Sequence, residues 1–248
     1  MKIQEAHYQH YWDKGWVVIE DIFTSDETDP VRELATQMAF DDLPKRPGGG
    51  VDESGDGELA PRKISEPFRR DSRFQKLALS PKLRTVVKQL MGVEPLLVTD
   101  QVFMKPPRFG SPKPYHQDNA YFKCKPADEV MTVWIALDDV DESNACLRYI
   151  DESFKGPVID HSPVEGESFN ITPPAELIDL SRESLAPVRK GGVVFHHANS
   201  LHTSHRNESD RWRRAYATHW ASTNVRSEGN TIKNAYFNEP DFARISDE

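Results

Sequence analysis

The segment Tyr115-His116-Gln117-Asp118-Asn119-Ala120-Tyr121-Phe122 holds an imidazole and a carboxylate two residues apart. On a strand, residues two apart point to the same face, so His116 and Asp118 would address one point in space. Two imidazoles and one carboxylate on one face of an ion form the donor set of non-haem Fe(II) centres, which keeps positions open for a co-substrate and O2. The second imidazole must then return from far along the chain, and His196, His197, His202 and His205 are the candidates. His202 is favoured, because Ser204 shares its face and Arg211, Arg213 and Arg214 follow closely. A chelated 2-oxo diacid needs a cation for its far carboxylate, and arginine binds carboxylates bidentately without losing its charge.

The elements that must hold these groups are legible from periodicity. The pattern predicts a short helix over Gln4–Lys14 ended by Gly15, a strand from Trp16, and a helix capped at Thr24 or Ser25. A helical stretch over Arg69–Met91 is interrupted at Ser80-Pro81, where Ser80 caps and Pro81 fits a first turn, and Gly92 stops it. Residues 95–105 read as a long strand with Leu97, Thr99, Gln101 and Phe103 on one face. In the strand over Glu129–Val140, Met131, Val133 and Ile135 alternate with Thr132, Trp134 and Ala136. Residues 191–197 and Trp212–Ser222 read as further strands. On the last, Arg213, Ala215, Ala217 and His219 share a face, and the two small alanines leave room for a bound diacid. Parity therefore favours Arg213 over Arg214, with Arg211 as the fallback anchor.

Three stretches read as irregular: a Gly- and Asp-rich mobile loop at 45–60, a lid at 151–188, and a polar tail at 224–248. Asp160, His161, Glu165 and Phe169 of the lid are the candidates for substrate choice. The acids at Asp138-Asp139 and Asp141-Glu142 read as turn residues rather than a second metal site.

With those motifs in place, the chain resembles the phytanoyl-CoA dioxygenase-like family of Fe(II)/2-oxoglutarate-dependent oxygenases. The likeness is carried by His116-Gln117-Asp118-Asn119, by Val133-Trp134-Ile135-Ala136-Leu137-Asp138-Asp139-Val140, and by Leu201-His202-Thr203-Ser204 with Asn207 and Arg213. The resemblance implies a mainly β chain with flanking helices, built on a double-stranded β-helix (a cupin-like jelly roll), as one domain over residues 1–248. It implies His116, Asp118 and His202 as metal ligands, and Fe(II), 2-oxoglutarate and O2 as cofactor and co-substrates. It places Arg213 and Ser204 on the 2-oxoglutarate 5-carboxylate, with Lys63, Gln101 and Trp134 lining its pocket. A carboxylate at 118, rather than the Ala or Gly of related halogenases, implies hydroxylation of a small-molecule metabolite with release of succinate and CO2. The chain departs from the family after Asn144, where Ala145 stands for the usual Gly and Asp151-Glu152-Ser153-Phe154 replaces Pro-Gly-Ser-His.

Composition sets the outer bounds. The 248 residues are 37% hydrophobic and 29% charged, with a formal net charge of −9. That balance permits a packed core and argues against nucleic acid or an anionic membrane as partner. Two cysteines, Cys124 and Cys146, make no disulfide framework. The N-terminus lacks the apolar core of a signal peptide, and no run has the length of a membrane span, so a cytoplasmic location is expected. Two other classes stay open: a binding or regulatory member of the fold without turnover, and a cupin-type metal enzyme that needs no 2-oxoglutarate.

Overall fold

The computed structural model describes residues 2–43, 51–239 and 242, with only the backbone at 167–169. The strands among the described residues are, in chain order, β1 (Trp16–Ile19), β2 (Val51–Glu53), β3 (Leu59–Pro61), β4 (Lys63–Ser65), β5 (Leu96–Lys105), β6 (Lys113–His116), β7 (Cys124–Lys125) and β8 (Val130–Ala136), then β9 (Leu147–Ile150), β10 (Ser162–Val164), β11 (Glu167–Thr172), β12 (Glu183–Ala186), β13 (Val193–His197), β14 (His202–Ser204), β15 (Arg213–Ala221) and β16 (Arg226–Ser227). Two antiparallel sheets face one another: a six-stranded sheet in the order β1-β13-β8-β15-β5-β4 and a four-stranded sheet in the order β12-β9-β14-β6. Strands far apart in the chain alternate within each sheet, which is the topology of a double-stranded β-helix and agrees with the expected jelly roll.

Among the described residues, the helices α1 (Glu5–Lys14), α2 (Ser25–Asp42), α3 (Ser72–Ala78) and α4 (Pro81–Met91) lie on the outer face of the larger sheet, and the single-turn α5 (Asp118–Phe122) lies at the cavity. Gly15 closes α1 at φ 90° and Gly92 closes α4 at φ 72°. Thr24 and Glu27 form a reciprocal capping box at the start of α2. Val31, Ala35, Phe74, Leu77, Leu83 and Leu90 pack from these helices onto Met131, Val133, Ile135, Phe195 and Trp220 of the sheet. The opposite parity faces the space between the sheets, where Trp134, Ala215, Ala217, Tyr149 and Leu147 meet. Alternation on β8 and β15 is therefore as expected. On β5 it breaks: a bulge opposite His219/Trp220 turns Leu97 to the helix side with Val102 and Met104, while Gln101 and Phe103 keep the inward face.

Two stretches expected to be loose carry structure. Within the 45–60 loop, β2 and β3 form a hairpin, and Val51-Asp52-Glu53 pairs with Leu59-Ala60-Pro61. Asp52 is buried there and accepts the Ser111 amide. Its residues 45–50 lie outside the described part. The 224–248 tail is anchored at Tyr236, whose hydroxyl and that of Tyr216 both donate to the buried Asp100 carboxylate. Burial pushes Asp100 up to about 6 against the pull of these donors. Val225 and Ala235 are buried too, and β16 pairs with β7. Residues 240–241 and 243–248 of the tail are outside the described part.

The family's missing glycine leaves a visible mark. Ala145 sits at φ 73°, in the left-handed region, and is 2% exposed. A Cβ there costs about 1–2 kcal/mol, which nearly offsets the roughly 0.8 kcal/mol from burying its methyl and the added chain entropy of glycine. Ala145→Gly is thus expected to leave stability almost unchanged. Ala145→Val forces a branched side chain into the same conformation and a filled core, and should cost about 2–4 kcal/mol. Thermal melts of the two variants decide this, and an Ala145→Val melt equal to wild type would show that the turn relaxes freely. The neighbouring replacement is also built in: Leu201 donates its amide to Ser153 Oγ at 2.9 Å, and Trp16 Nε1 donates to Asp151 at 2.9 Å.

Candidate active site

The turn from β6 into α5 is where the chemistry concentrates. His116 ends β6, Gln117 continues extended at φ −106° and ψ 130°, and Asp118 is the first residue of α5. Asp118 is not on a strand, as the two-residue spacing suggested. The extended Gln117 nonetheless keeps His116 and Asp118 on one side. β14 pairs with β6 so that His202 lies directly across from His116, with ring centroids 4.1 Å apart. His116 Nε2 and His202 Nε2 stand 3.5 Å and 3.8 Å from Asp118 Oδ1. One ligand atom from each of the three residues lies within 4.8 Å of the others, and all three residues are buried.

Their outer contacts fix which atoms face inward. His116 Nδ1 donates to the Pro114 carbonyl at 2.9 Å, and His202 Nδ1 donates to the Ser200 carbonyl at 3.0 Å. Both Nε2 atoms are then lone-pair donors aimed at the cluster. Burial lowers both imidazoles from their ordinary value, His202 strongly so, and keeps them neutral. For Asp118 burial acts the other way, but His202, His116 and His196 outweigh it and hold the carboxyl well below its usual range.

The second Asp118 oxygen has its own partners, which sequence reasoning missed. Thr132 Oγ1 donates to Oδ2 at 2.5 Å, and His196 Nε2 donates to it at 3.0 Å. Tyr149 donates to His196 Nδ1 at 2.8 Å. His219 Nδ1 lies 2.9 Å from Thr132 Oγ1 and its Nε2 lies 3.1 Å from Gln101 Nε2. Parity on β13 puts His196 inward and, by register, opposite Thr132. Of the other competing histidines, His197 turns outward to Asp128 at 3.0 Å and His205 is exposed.

A cavity of about 650 Å³ opens over this cluster and is also lined by Lys63, Gln101, Trp134, Ser204 and Arg213. Of the three candidate arginines, Arg213 lines this cavity. Arg214 faces out and pairs with Asp138 at 2.7 Å, and Arg211 pairs with Asp141 at 2.6 Å on the surface. Arg213 is 2% exposed, lies 5.3 Å over the Trp134 ring, and donates from Nη2 to Ser204 Oγ at 3.2 Å. Its Nε is buried without a hydrogen-bond partner, and no carboxylate among the described residues forms an ion pair with it. Burial draws it down to about 10, which leaves it cationic at neutral pH. A buried guanidinium needs an anion, so the residues fit a carboxylate-bearing ligand, as the neutral His/His and ionised Asp set fits Fe(II).

Within the stretch expected to be a lid, β10 and β11 form a hairpin, and Gly166 and Asn170 line the cavity wall. Of the lid candidates for substrate choice, Asp160 and Glu165 are exposed, and the Phe169 side chain lies outside the described part. His161 accepts the Gln117 amide at 3.1 Å on the back of the metal turn instead. Gln117 grips the same stretch by accepting the Ile159 amide at 2.8 Å, and it donates to the Asn199 carbonyl, between β13 and β14, at 2.7 Å. The turn acids are occupied by Arg214, Arg211 and backbone amides, and both cysteines are buried free thiols.

The family model for phytanoyl-CoA dioxygenase (PhyH) matches residues 11–215. Phytanoyl-CoA dioxygenase domain-containing protein 1 of Mus musculus is 32% identical over 200 residues, covering 75% of this chain and 67% of that protein. The homolog of that protein in Caenorhabditis elegans is 26% identical over 250 residues, covering 83% and 86%. The solved structure of the epimerase SnoN in complex with Fe3+, alpha ketoglutarate and nogalamycin RO shares the fold, with a TM-score of 0.72 at 19% identity, covering 92% of this chain and 87% of that one. No helix among the described residues is long and apolar enough to cross a membrane.

Proposed function

This chain belongs to the phytanoyl-CoA dioxygenase family, and from that premise we propose that it is an Fe(II)- and 2-oxoglutarate-dependent oxygenase that hydroxylates a small molecule. His116, Asp118 and His202 would hold the iron, and Arg213 with Ser204 would hold the far carboxylate of 2-oxoglutarate. The observation that carries the reading is Arg213: a buried cation without a carboxylate partner among the described residues, in the same cavity as a His/Asp/His cluster.

Bound there, iron and 2-oxoglutarate supply O2-dependent oxidation of a substrate C–H bond, with succinate and CO2 released. The chain's own residues do the rest. The Pro114 and Ser200 carbonyls lock the two imidazoles in one tautomer and orientation. Thr132 and His196 occupy Asp118 Oδ2, so that Oδ1 is the oxygen presented to the metal. Ala217, a small residue on the same strand as Arg213, lines the space a five-carbon diacid would take. Trp134 and Phe103 wall that space. The carboxylate at 118 supports hydroxylation over halide transfer, because it occupies the position a halide would take. The small-molecule ligand of SnoN supports a small substrate here.

Succinate formation tests the reading. Purified protein given Fe(II), ascorbate, O2 and 2-oxoglutarate is expected to release succinate slowly without substrate and faster with a substrate from a metabolite panel. Absence of succinate with 2-oxoglutarate still bound would make the chain a binding protein of this fold. Oxidation that proceeds without 2-oxoglutarate would make it a cupin-type enzyme.

A further inference from the structure

A row of polar side chains crosses the larger sheet and leads to Asp118. His196 of β13 lies opposite Thr132 of β8, and Thr132 lies opposite His219 of β15. Gln101 of β5, the strand beside β15, reaches His219. His196, Thr132 and His219 are buried, so their polar atoms need partners within the protein. Those partners set the direction of each hydrogen bond in the row.

Gln101 sets the first one. Its side-chain nitrogen stands 3.1 Å from His219 Nε2. An amide NH2 has protons to give and nothing to accept with, so His219 Nε2 is the acceptor. The proton of that neutral ring is then on Nδ1, 2.9 Å from Thr132 Oγ1. His219 donates there, and the Thr132 hydroxyl keeps its single proton for Asp118 Oδ2 at 2.5 Å. From the other side, Tyr149 donates to His196 Nδ1 at 2.8 Å, which leaves the His196 proton on Nε2 for the same Asp118 oxygen at 3.0 Å. Two donor lines thus end on Oδ2 and engage both of its lone pairs. Oδ1 is left to face His116 Nε2 and His202 Nε2.

Resting on the oxygenase reading, we propose that His219 is a positioning residue for co-substrate binding: by directing the Thr132 proton, it keeps Asp118 a one-oxygen ligand. A carboxylate with a free lone pair on Oδ2 can turn both oxygens to a metal and fill a position that a chelating 2-oxo acid needs. The role belongs to one ring nitrogen. The edge-on contact of the His219 ring with Phe122, centroids 4.9 Å apart, is packing that a phenyl ring supplies as well. His219→Phe therefore removes the donor and keeps the shape.

The test is anaerobic calorimetry of 2-oxoglutarate on protein saturated with Fe(II), beside Fe(II) titration of the stripped protein. His219→Phe should weaken 2-oxoglutarate binding about three- to tenfold, the size expected for one hydrogen bond. Fe(II) affinity should hold or rise, because the freed Oδ2 lone pair is a further donor to the metal. Thr132→Val should shift the two ligands in the same way, and Thr132→Ser, which keeps the hydroxyl, should bind 2-oxoglutarate as wild type does. In the Thr132→Val background, His219→Phe should add less than about twofold, since residues that act in one line are not additive. Unchanged 2-oxoglutarate affinity in His219→Phe, Fe(II) affinity falling in step with it, or the full loss recurring in the Thr132→Val background overturns the positioning role. If His219→Phe does not fold, equal 2-oxoglutarate binding by Thr132→Val and Thr132→Ser overturns it. Wild-type protein that takes Fe(II) but no 2-oxoglutarate ends the oxygenase reading and this inference with it. Wild-type binding of both, with no coupling between positions 132 and 219, ends the positioning role alone.

Discussion

Asp118→Ala is expected to cost at least about two orders of magnitude in Fe(II) affinity and about three or more in 2-oxoglutarate turnover. Loss of a residue that merely supports a ligand costs about 10–100-fold, and Asp118 is placed as a ligand itself. It is also the only carboxylate among the described residues of the cavity wall, so its removal leaves neutral imidazoles with no anion to balance a dication. The damage extends outward: Thr132 Oγ1 and His196 Nε2 both lose their acceptor inside a buried cluster. Metal titration of the stripped protein, followed by a succinate assay, reads both effects. A thermal melt separates site loss from unfolding. Unchanged iron binding and turnover in a folded variant would remove Asp118 from the ligand set.

Arg213→Met carries the second large effect, and its two readouts move in opposite directions. Truncating one partner of a buried, hydrogen-bonded charge pair costs about 2–5 kcal/mol of binding, so the KM for 2-oxoglutarate should rise by roughly two orders of magnitude. Without ligand, the same substitution replaces a buried cation, its Nε unpaired, by a side chain of similar length with no charge. Ligand-free Arg213→Met should therefore melt at or above wild type. Ligand stabilises the form that binds it, by about 2.7 kcal/mol at a concentration one hundred times Kd. Added 2-oxoglutarate should raise the wild-type melt and leave the variant's where it is. A variant that keeps the ligand-induced shift would move the anchor elsewhere.

What the sequence disclosed was whatever follows from local period. Alternation on β15 separates Arg213, Ala215 and Ala217 from Arg214, and that parity favoured the buried guanidinium over Arg214 while leaving Arg211 as the fallback. Alternation on β8 put Trp134 and Thr132 on the cavity side. His202 could be picked out because Ser204 and Arg213 follow it within reach. The role of His196 could not, because it depends on β13 lying beside β8, which brings residues 132 and 196 into register across a long separation. Parity of His196 against His197 was the available signal, but without the register it names no partner. The β2–β3 hairpin was obscured by acids and glycines around a turn at Ser54-Gly55-Asp56-Gly57, with only Val51, Leu59 and Ala60 as apolar markers. The tail looked loose for a similar reason: Tyr236 is held by Asp100, a strand residue more than a hundred positions earlier. The Leu97 side was misjudged because a bulge adds a residue that no periodicity reveals.

Gln117 stands between His116 and Asp118 and points away from them, bonded to the backbone of Pro157 and Ile159 in the segment that leads into the β10–β11 hairpin. Traffic into the cavity is constrained by that arrangement. Swinging the whole cover from residues 157–161 would tug on the peptide units that orient His116 and Asp118, and would disturb coordination each time a molecule entered. A cover that moved instead at its far rim, around Gly166, would spare His116 and Asp118 that disturbance.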